Sequence, residues 1–283
     1  MKLNPLSFFY RRANRRWLYP LLSAVMALFI WVGLPQPGQA IPWLDLILRG
    51  VQVIQMSNVS DRQEVQIGRS INQQLVTREI RLYRNPQITR YVNEIGQRLA
   101  SSSDRPDIPY TFQVVNDKSV NAFATMGGFV YIHTGLLKAA DNEAQLAGVL
   151  AHEIGHIASR HALEQMRQTA IARGVAAAAG LDRNLAVQIG VDLALRRPNS
   201  RKDEFEADQK GLQTLTNAGY APAGMVGFME KLLRARSVPN FLSTHPGTQD
   251  RINALERVID PATANVGEGL DELAYKRNIR ALP

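Results

Sequence analysis

His152-Glu153-Ile154-Gly155-His156 constrains this chain more than any other stretch, because two imidazoles at i and i+4 fall on one helix face, a turn apart. That spacing suits two of the four tetrahedral positions of zinc, so the segment is expected to be a helix carrying two metal ligands. Glu153 would then lie beside the metal. There it can take a proton from an attacking water and pass it to a leaving amine, while the metal polarises the carbonyl.

A catalytic zinc takes three protein groups and keeps one position open, so a third ligand has to arrive from elsewhere. His161 is nearest in sequence, but at 100° per residue it falls about 140° round the helix from His156 and is expected to face away from the metal. The longer pattern HExxHxxGxxH fails, with Ser159 where Gly is needed and Ala162 where His is needed. Glu204 and Asp208 fit better, as an i, i+4 pair on a later helix. Glu204 can ligate, and Asp208 can accept the free ring N–H of a ligating histidine, fixing its tautomer and orientation.

The net charge of +8 would suggest a nucleic-acid binder if it were spread over a folded domain. It is not. Lys2, Arg11, Arg12, Arg15 and Arg16 supply five of the excess positives within residues 1–40, which contain no Asp or Glu, and no nucleic-acid partner is expected. This basic head precedes an apolar run from Trp17 to Leu34, then Gly38 and Ala40 spaced like an export cleavage site. Residues 1–40 therefore read as a signal peptide, with an uncleaved anchor helix as the alternative, and the expected compartment is the periplasm. The absence of cysteine excludes a thiol nucleophile, a Cys-ligated zinc and disulfides.

Residues 41–59 form an apolar lead-in without clear periodicity. A helix is expected from Ser60 to Tyr83, ended by Asn85-Pro86, and a second with Ile88, Tyr91, Ile95 and Leu99 on one stripe. Tyr110, Phe112 and Val114 alternate as a half-buried strand, and Phe129 to His133 reads as another. Asp141 can cap the helix that carries the histidine motif. Leu185, Ile189 and Leu193 mark a further helix, Ser200 and Asp203 begin the one bearing Glu204, and others occupy about 222–236 and 248–259. Helices around one small sheet give an α+β class, with a catalytic domain over 60–260 and a short C-terminal tail over 261–283.

With these residues in view, the chain resembles the Ste-type and HtpX-type zinc peptidases, metallopeptidase family forty-eight of the gluzincin group. The resemblance rests on the HEIGH motif, Glu204 to Asp208, Asn121-Ala122-Phe123-Ala124, Gly127-Gly128 with Thr134-Gly135-Leu136-Leu137, and His245-Pro246 followed by Arg251. It implies a mainly helical zincin-like fold and one zinc per chain, held by His152, His156 and Glu204, with Glu153 as base and Asp208 behind. It implies that Gly128, Phe129, Val130 and Tyr131 form an edge strand along which a peptide lies extended, pairing by main-chain hydrogen bonds. His245 and Arg251 resemble the family's late pair near the metal: His245 either occupies zinc's open position and inhibits, or donates to an oxyanion and assists. Relatives also place a mobile cover between the second histidine and the third ligand; plain helical packing explains 160–199 equally well.

The expected activity is zinc-dependent endopeptidase action on unfolded or misassembled envelope proteins, with membrane or outer-membrane assembly partners. The alternative is an envelope chaperone that holds clients with little or latent proteolysis. An intact base at Glu153 favours catalysis, because a binding module has no use for it.

Overall fold

The computed structural model describes residues 53–54, 58–173, 181–196, 199–235 and 239–282. The signal-segment reading of 1–40 and most of the lead-in at 41–59 lie outside them. After a two-residue strand β1 (Val53–Ile54), helix α1 (Asp61–Gln74) begins at a capping box: Ser60 accepts from the Gln63 amide, and the Gln63 side chain accepts from the Ser60 amide. A π-helical turn over Leu75–Glu79 ends it, four residues short of the expected Tyr83. Asn85-Pro86 does not stop that helix; it starts α2 (Pro86–Ser101). Asn85 accepts from the amides of Gln87 and Ile88, and proline at the first helical position gives up an N–H that had no helical partner anyway.

Three strands follow, β2 (Thr111–Val115), β3 (Ala122–Thr125) and β4 (Phe129–His133), in the order β2-β4-β3. β2 runs parallel to β4, and β3 antiparallel to it. This corrects the expectation for Gly128, Phe129, Val130 and Tyr131: Gly128 lies in the turn before β4, and Phe129 to Tyr131 lie in the central strand, paired on both sides. The physical reason is visible in the residues. Phe129 to His133 is buried along its whole length, with Val130 and Ile132 entering one core and Phe129 and Tyr131 the other, as a central strand requires. β2 and β3 are the edges of this sheet; an isolated bridge from Leu82 to Val115 meets the outer side of β2, whereas β3 has no strand partner on its outer side among the described residues.

Helix α3 (Thr134–Ala139) leads to α4 (Glu143–Ala158), capped by Asn142 rather than the expected Asp141. Every residue of α4 from Ala144 to Ile157 is buried, as suits a helix apolar on all sides. Then come α5 (His161–Ala172), β5 (Leu181–Asp182), which pairs antiparallel with β1, and α6 (Arg183–Arg196). Helices α7 (Arg201–Asn217), α8 (Ala223–Leu233), α9 (Asn240–Thr244), α10 (Thr248–Val258) and α11 (Glu272–Ile279) complete the order. The α+β class with helices dominating one small sheet is borne out. The expected tail is not a tail: Tyr275 is 1% exposed, donates to the Leu137 carbonyl at 2.6 Å and joins the main core with Ile279.

The site is positioned by the seam between α4 and α7. Ala151 and Gly155 on one helix meet Ala207 and Gly211 on the other, both pairs spaced by one turn. A Cβ on Gly155 would sit 2.4 Å from the Ala207 carbonyl oxygen, and one on Gly211 would sit 3.0 Å from that of Ala151. Only small residues allow backbones this close. The side chains beside the seam, His152 and His156 from α4 and Glu204 and Asp208 from α7, are thereby brought within bonding reach.

Candidate metal centre

His152 and His156 lie one turn apart on the buried face of α4, and α7 brings Glu204 over both. The His152 and His156 Nε2 atoms are 3.0 Å apart; Glu204 Oε2 is 3.4 Å from the first and Oε1 is 3.3 Å from the second. His245, at the end of α9, adds its Nδ1 at 3.1 Å from Glu204 and 3.2 Å from His152 Nε2. Its ring is stacked on Phe241 at 4.4 Å. One ligand-capable atom from each of these four residues lies within 4.8 Å of all the others, and all four residues are buried.

These separations test whether a metal fits. Four ligands about 2.0–2.1 Å from a tetrahedral zinc lie about 3.3 Å from one another. The observed 3.0–3.4 Å spacings match that edge length. Two ring nitrogens 3.0 Å apart share one proton, and a cation that displaces it meets a lone pair from each ring. The donor set, three imidazoles and a carboxylate, suits zinc.

Around the cluster, charge is ordered. His152 Nδ1 donates to Asp208 Oδ1 at 2.8 Å, which turns Nε2 inward. Arg251 clamps Asp208 with two bonds of 2.7 Å and meets Glu204 Oε2 at 2.6 Å. Burial and Arg251 pull the His152 pKa down, but Glu204 and Asp208 outweigh them and raise it to about 9. A metal therefore displaces a proton on binding. Burial drives His156 down to about 3, keeping that ring neutral. Glu204 is pushed up by burial, yet His245 and His152 win and hold it well below the usual carboxylate range.

Glu153 is 1% exposed, and burial raises its pKa above the ordinary value. Its Oε1 makes no hydrogen bond, and His245 Nε2 stands 3.4 Å from it. Beside it opens a cavity of about 60 Å³ lined by Phe123 and Met126 from the β3 end of the sheet and by Leu193 and Ala194 of α6.

Of the residues singled out in the sequence, His152, His156, Glu204, Asp208, Glu153, His245 and Arg251 come together here. Arg251 does so from behind: it lines the outer groove between α7 and α10 and not the cavity beside Glu153, which places it as a support for carboxylates. Gly128 to Tyr131 do not line that cavity; Phe123 to Thr125 of β3 do. His161 was expected to face away and instead lies with its Nδ1 2.8 Å from His156 Nδ1. One continuous helix would turn His161 away, but the chain breaks at Arg160, whose φ of 57° is left-handed. Asn199, 3.2 Å from His156 Nε2, and Phe241 carried no signal in the sequence.

With that geometry in place, the chain compares directly with known proteins. The family model described as "Peptidase family M48" matches residues 86–259, more than half of the chain. The chain belongs to peptidase family M48. Within this family grouping it is 35% identical over 213 residues to the "Beta-barrel assembly-enhancing protease" of Escherichia coli (strain K12), covering 69% of this chain and 44% of that protein. It is 31% identical over 181 residues to the "Mitochondrial metalloendopeptidase OMA1" of Schizosaccharomyces pombe, covering 62% of this chain and 54% of that one. A zebrafish relative (Danio rerio), "Metalloendopeptidase OMA1, mitochondrial", is 30% identical over 198 residues, covering 63% and 41%. The chain thus spans about half the length of these relatives. The M48 match takes in all of the converging residues, from His152 to Arg251.

Proposed function

We propose that this M48 member is a zinc-dependent endopeptidase that cleaves extended segments of unfolded or misassembled envelope proteins. The observation that carries the reading is the convergence of His152, His156 and Glu204 at tetrahedral spacing beside a buried carboxyl, Glu153, with an unbonded oxygen. His152, His156 and Glu204 would hold zinc, which when bound polarises a carbonyl and acidifies water. Glu153 accepts the proton of the attacking water and returns it to the departing amine, a task for which its raised pKa suits it. Asp208 and Arg251 hold the His152 ring in register.

β3 serves as the substrate strand in place of the segment assigned from sequence. Its outer side has no strand partner among the described residues, and it borders the cavity beside Glu153. Pairing through main-chain groups selects for an extended peptide and little else, which suits clients lacking stable structure. The envelope assignment is supported by the signal-like residues 1–40 and by the assembly-related name of the Escherichia coli relative. Among the described residues no helix is long and apolar enough to cross a membrane. The direct experiment measures zinc per chain and casein cleavage before and after chelation; a pure, folded chain that cuts casein with no stoichiometric metal would overturn the reading.

His245 is best read as a brake. Its Nδ1 lies among the ligand atoms, 3.1 Å from Glu204 and 3.2 Å from His152 Nε2, where it can take the position that water needs, while its Nε2 faces Glu153 at 3.4 Å. His245→Ala is expected to keep its zinc and raise basal casein cleavage several-fold; a fall of about 10²-fold would instead identify an oxyanion donor. A latent peptidase that mainly holds clients is the second reading, favoured by this same occupied geometry, and a His245→Ala chain that binds unfolded casein without cutting it would select it.

A further inference from the structure

We propose that His161 is a positioning residue for His156, accepting its Nδ1–H and thereby fixing the ring whose Nε2 faces the metal cluster. The inference rests on His156 being a ligand and concerns what holds it there.

The chain is folded back to make the contact. α4 ends at Ala158, and Arg160 adopts a left-handed conformation with φ of 57°. That conformation is uncommon for a residue with a side chain and persists only where its surroundings hold it. Here Arg160 Nε donates to Glu64 Oε2 at 2.8 Å and Nη2 to the Val59 carbonyl at 2.7 Å. Glu64 is itself 1% exposed and also bound by Arg105, so the corner is anchored to α1. His161 then opens α5 with its ring 6% exposed and its centroid 5.0 Å from that of His156.

Counting protons assigns the roles. Two Nδ1 atoms 2.8 Å apart share one hydrogen. His156 Nε2 lies 3.3 Å from Glu204 Oε1 and 3.0 Å from His152 Nε2, so it needs a free lone pair to ligate. The His156 proton is therefore on Nδ1, the donor. His161 Nδ1 accepts, which places its own proton on Nε2. That nitrogen makes no hydrogen bond and faces Glu206 Oε2 at 3.5 Å and Asp203 Oδ1 at 3.9 Å, a fitting environment for an N–H. The two ligating rings are thus held differently, His152 by a carboxylate that Arg251 clamps and His156 by an imidazole whose far nitrogen two carboxylates face.

The test compares the full chain with His161→Phe, which keeps ring volume but has no acceptor, and with His161→Asn, whose amide oxygen falls near the Nδ1 position. Zinc affinity is measured by chelator competition, alongside the melting temperature of the metal-free chain. His161→Phe is expected to bind zinc about 10–100-fold more weakly, with His161→Asn recovering most of the loss. Wild-type affinity in His161→Phe, or equal losses in both variants that follow their metal-free melting temperatures, would overturn the positioning role. A wild-type chain that binds no zinc would sink the ligand reading itself, a different failure. Should His161→Phe not fold, His161→Asn against Glu206→Gln decides: a weaker-binding His161→Asn with unaltered Glu206→Gln contradicts the proton assignment.

Discussion

Glu153→Gln is expected to yield a folded chain with a full complement of zinc that cleaves casein at least about 10²-fold more slowly than the wild type. Glu153 is not among the four residues whose donor atoms converge, so the ligand set survives the change. Glutamine fills nearly the same volume and its amide can form hydrogen bonds, but it cannot accept and return a proton. The loss should therefore fall on kcat, leaving metal content and client binding close to wild type. Metal analysis and single-turnover cleavage on the same preparation check both halves. Full activity in a metal-replete Glu153→Gln chain would refute the assignment of the base.

Arg251→Met is expected to destabilise the metal-free chain by about 3–5 kcal/mol, the usual consequence of removing one partner from a buried ionic group. Arg251 is 1% exposed and serves both Asp208 and Glu204, so its loss leaves two enclosed carboxylates with only the neighbouring histidines to offset them. Lysine should rescue poorly, because a single ammonium cannot reproduce the two-pronged contact with Asp208. Urea unfolding of chelated protein measures the effect, and zinc should restore part of the loss by supplying positive charge to the same carboxylates. A change below about 1 kcal/mol would show that the enclosed carboxylates are protonated or hydrated once Arg251 is gone.

Much of the centre was legible because its chemistry is written in short, helix-periodic spacings. His152 and His156, and Glu204 and Asp208, are each i, i+4 pairs, and local periodicity alone sets which face they share. Helix starts at Ser60 and Ser200 were equally readable from side chains that satisfy the first free amides. What escaped depends on long-range partners or on one unusual backbone angle. β3 is four residues with no alternation to announce it, and only its place beside β4 reveals it as the edge. His161 was misplaced by a left-handed residue with a side chain, which no spacing rule anticipates. The helix around Tyr275 is stabilised by a core made of segments more than a hundred residues upstream, such as Leu137, so its polar sequence reads as a tail.

The tight seam of Ala151, Gly155, Ala207 and Gly211 makes metal capture a late event in the life of the chain. His152 meets Asp208 across 56 residues and His245 across 93, so an unfolded chain offers a cation only the local histidine pair. A cation that recognises the native arrangement and not the unfolded one shifts the folding equilibrium by mass action, about 2.7 kcal/mol at a hundredfold excess over its dissociation constant. With zinc as the proposed occupant, its ambient free concentration would act as a thermostat for this fold. Scarce zinc would then lower stability as well as activity, and a newly made chain carries no complete centre until its two helices have closed on each other.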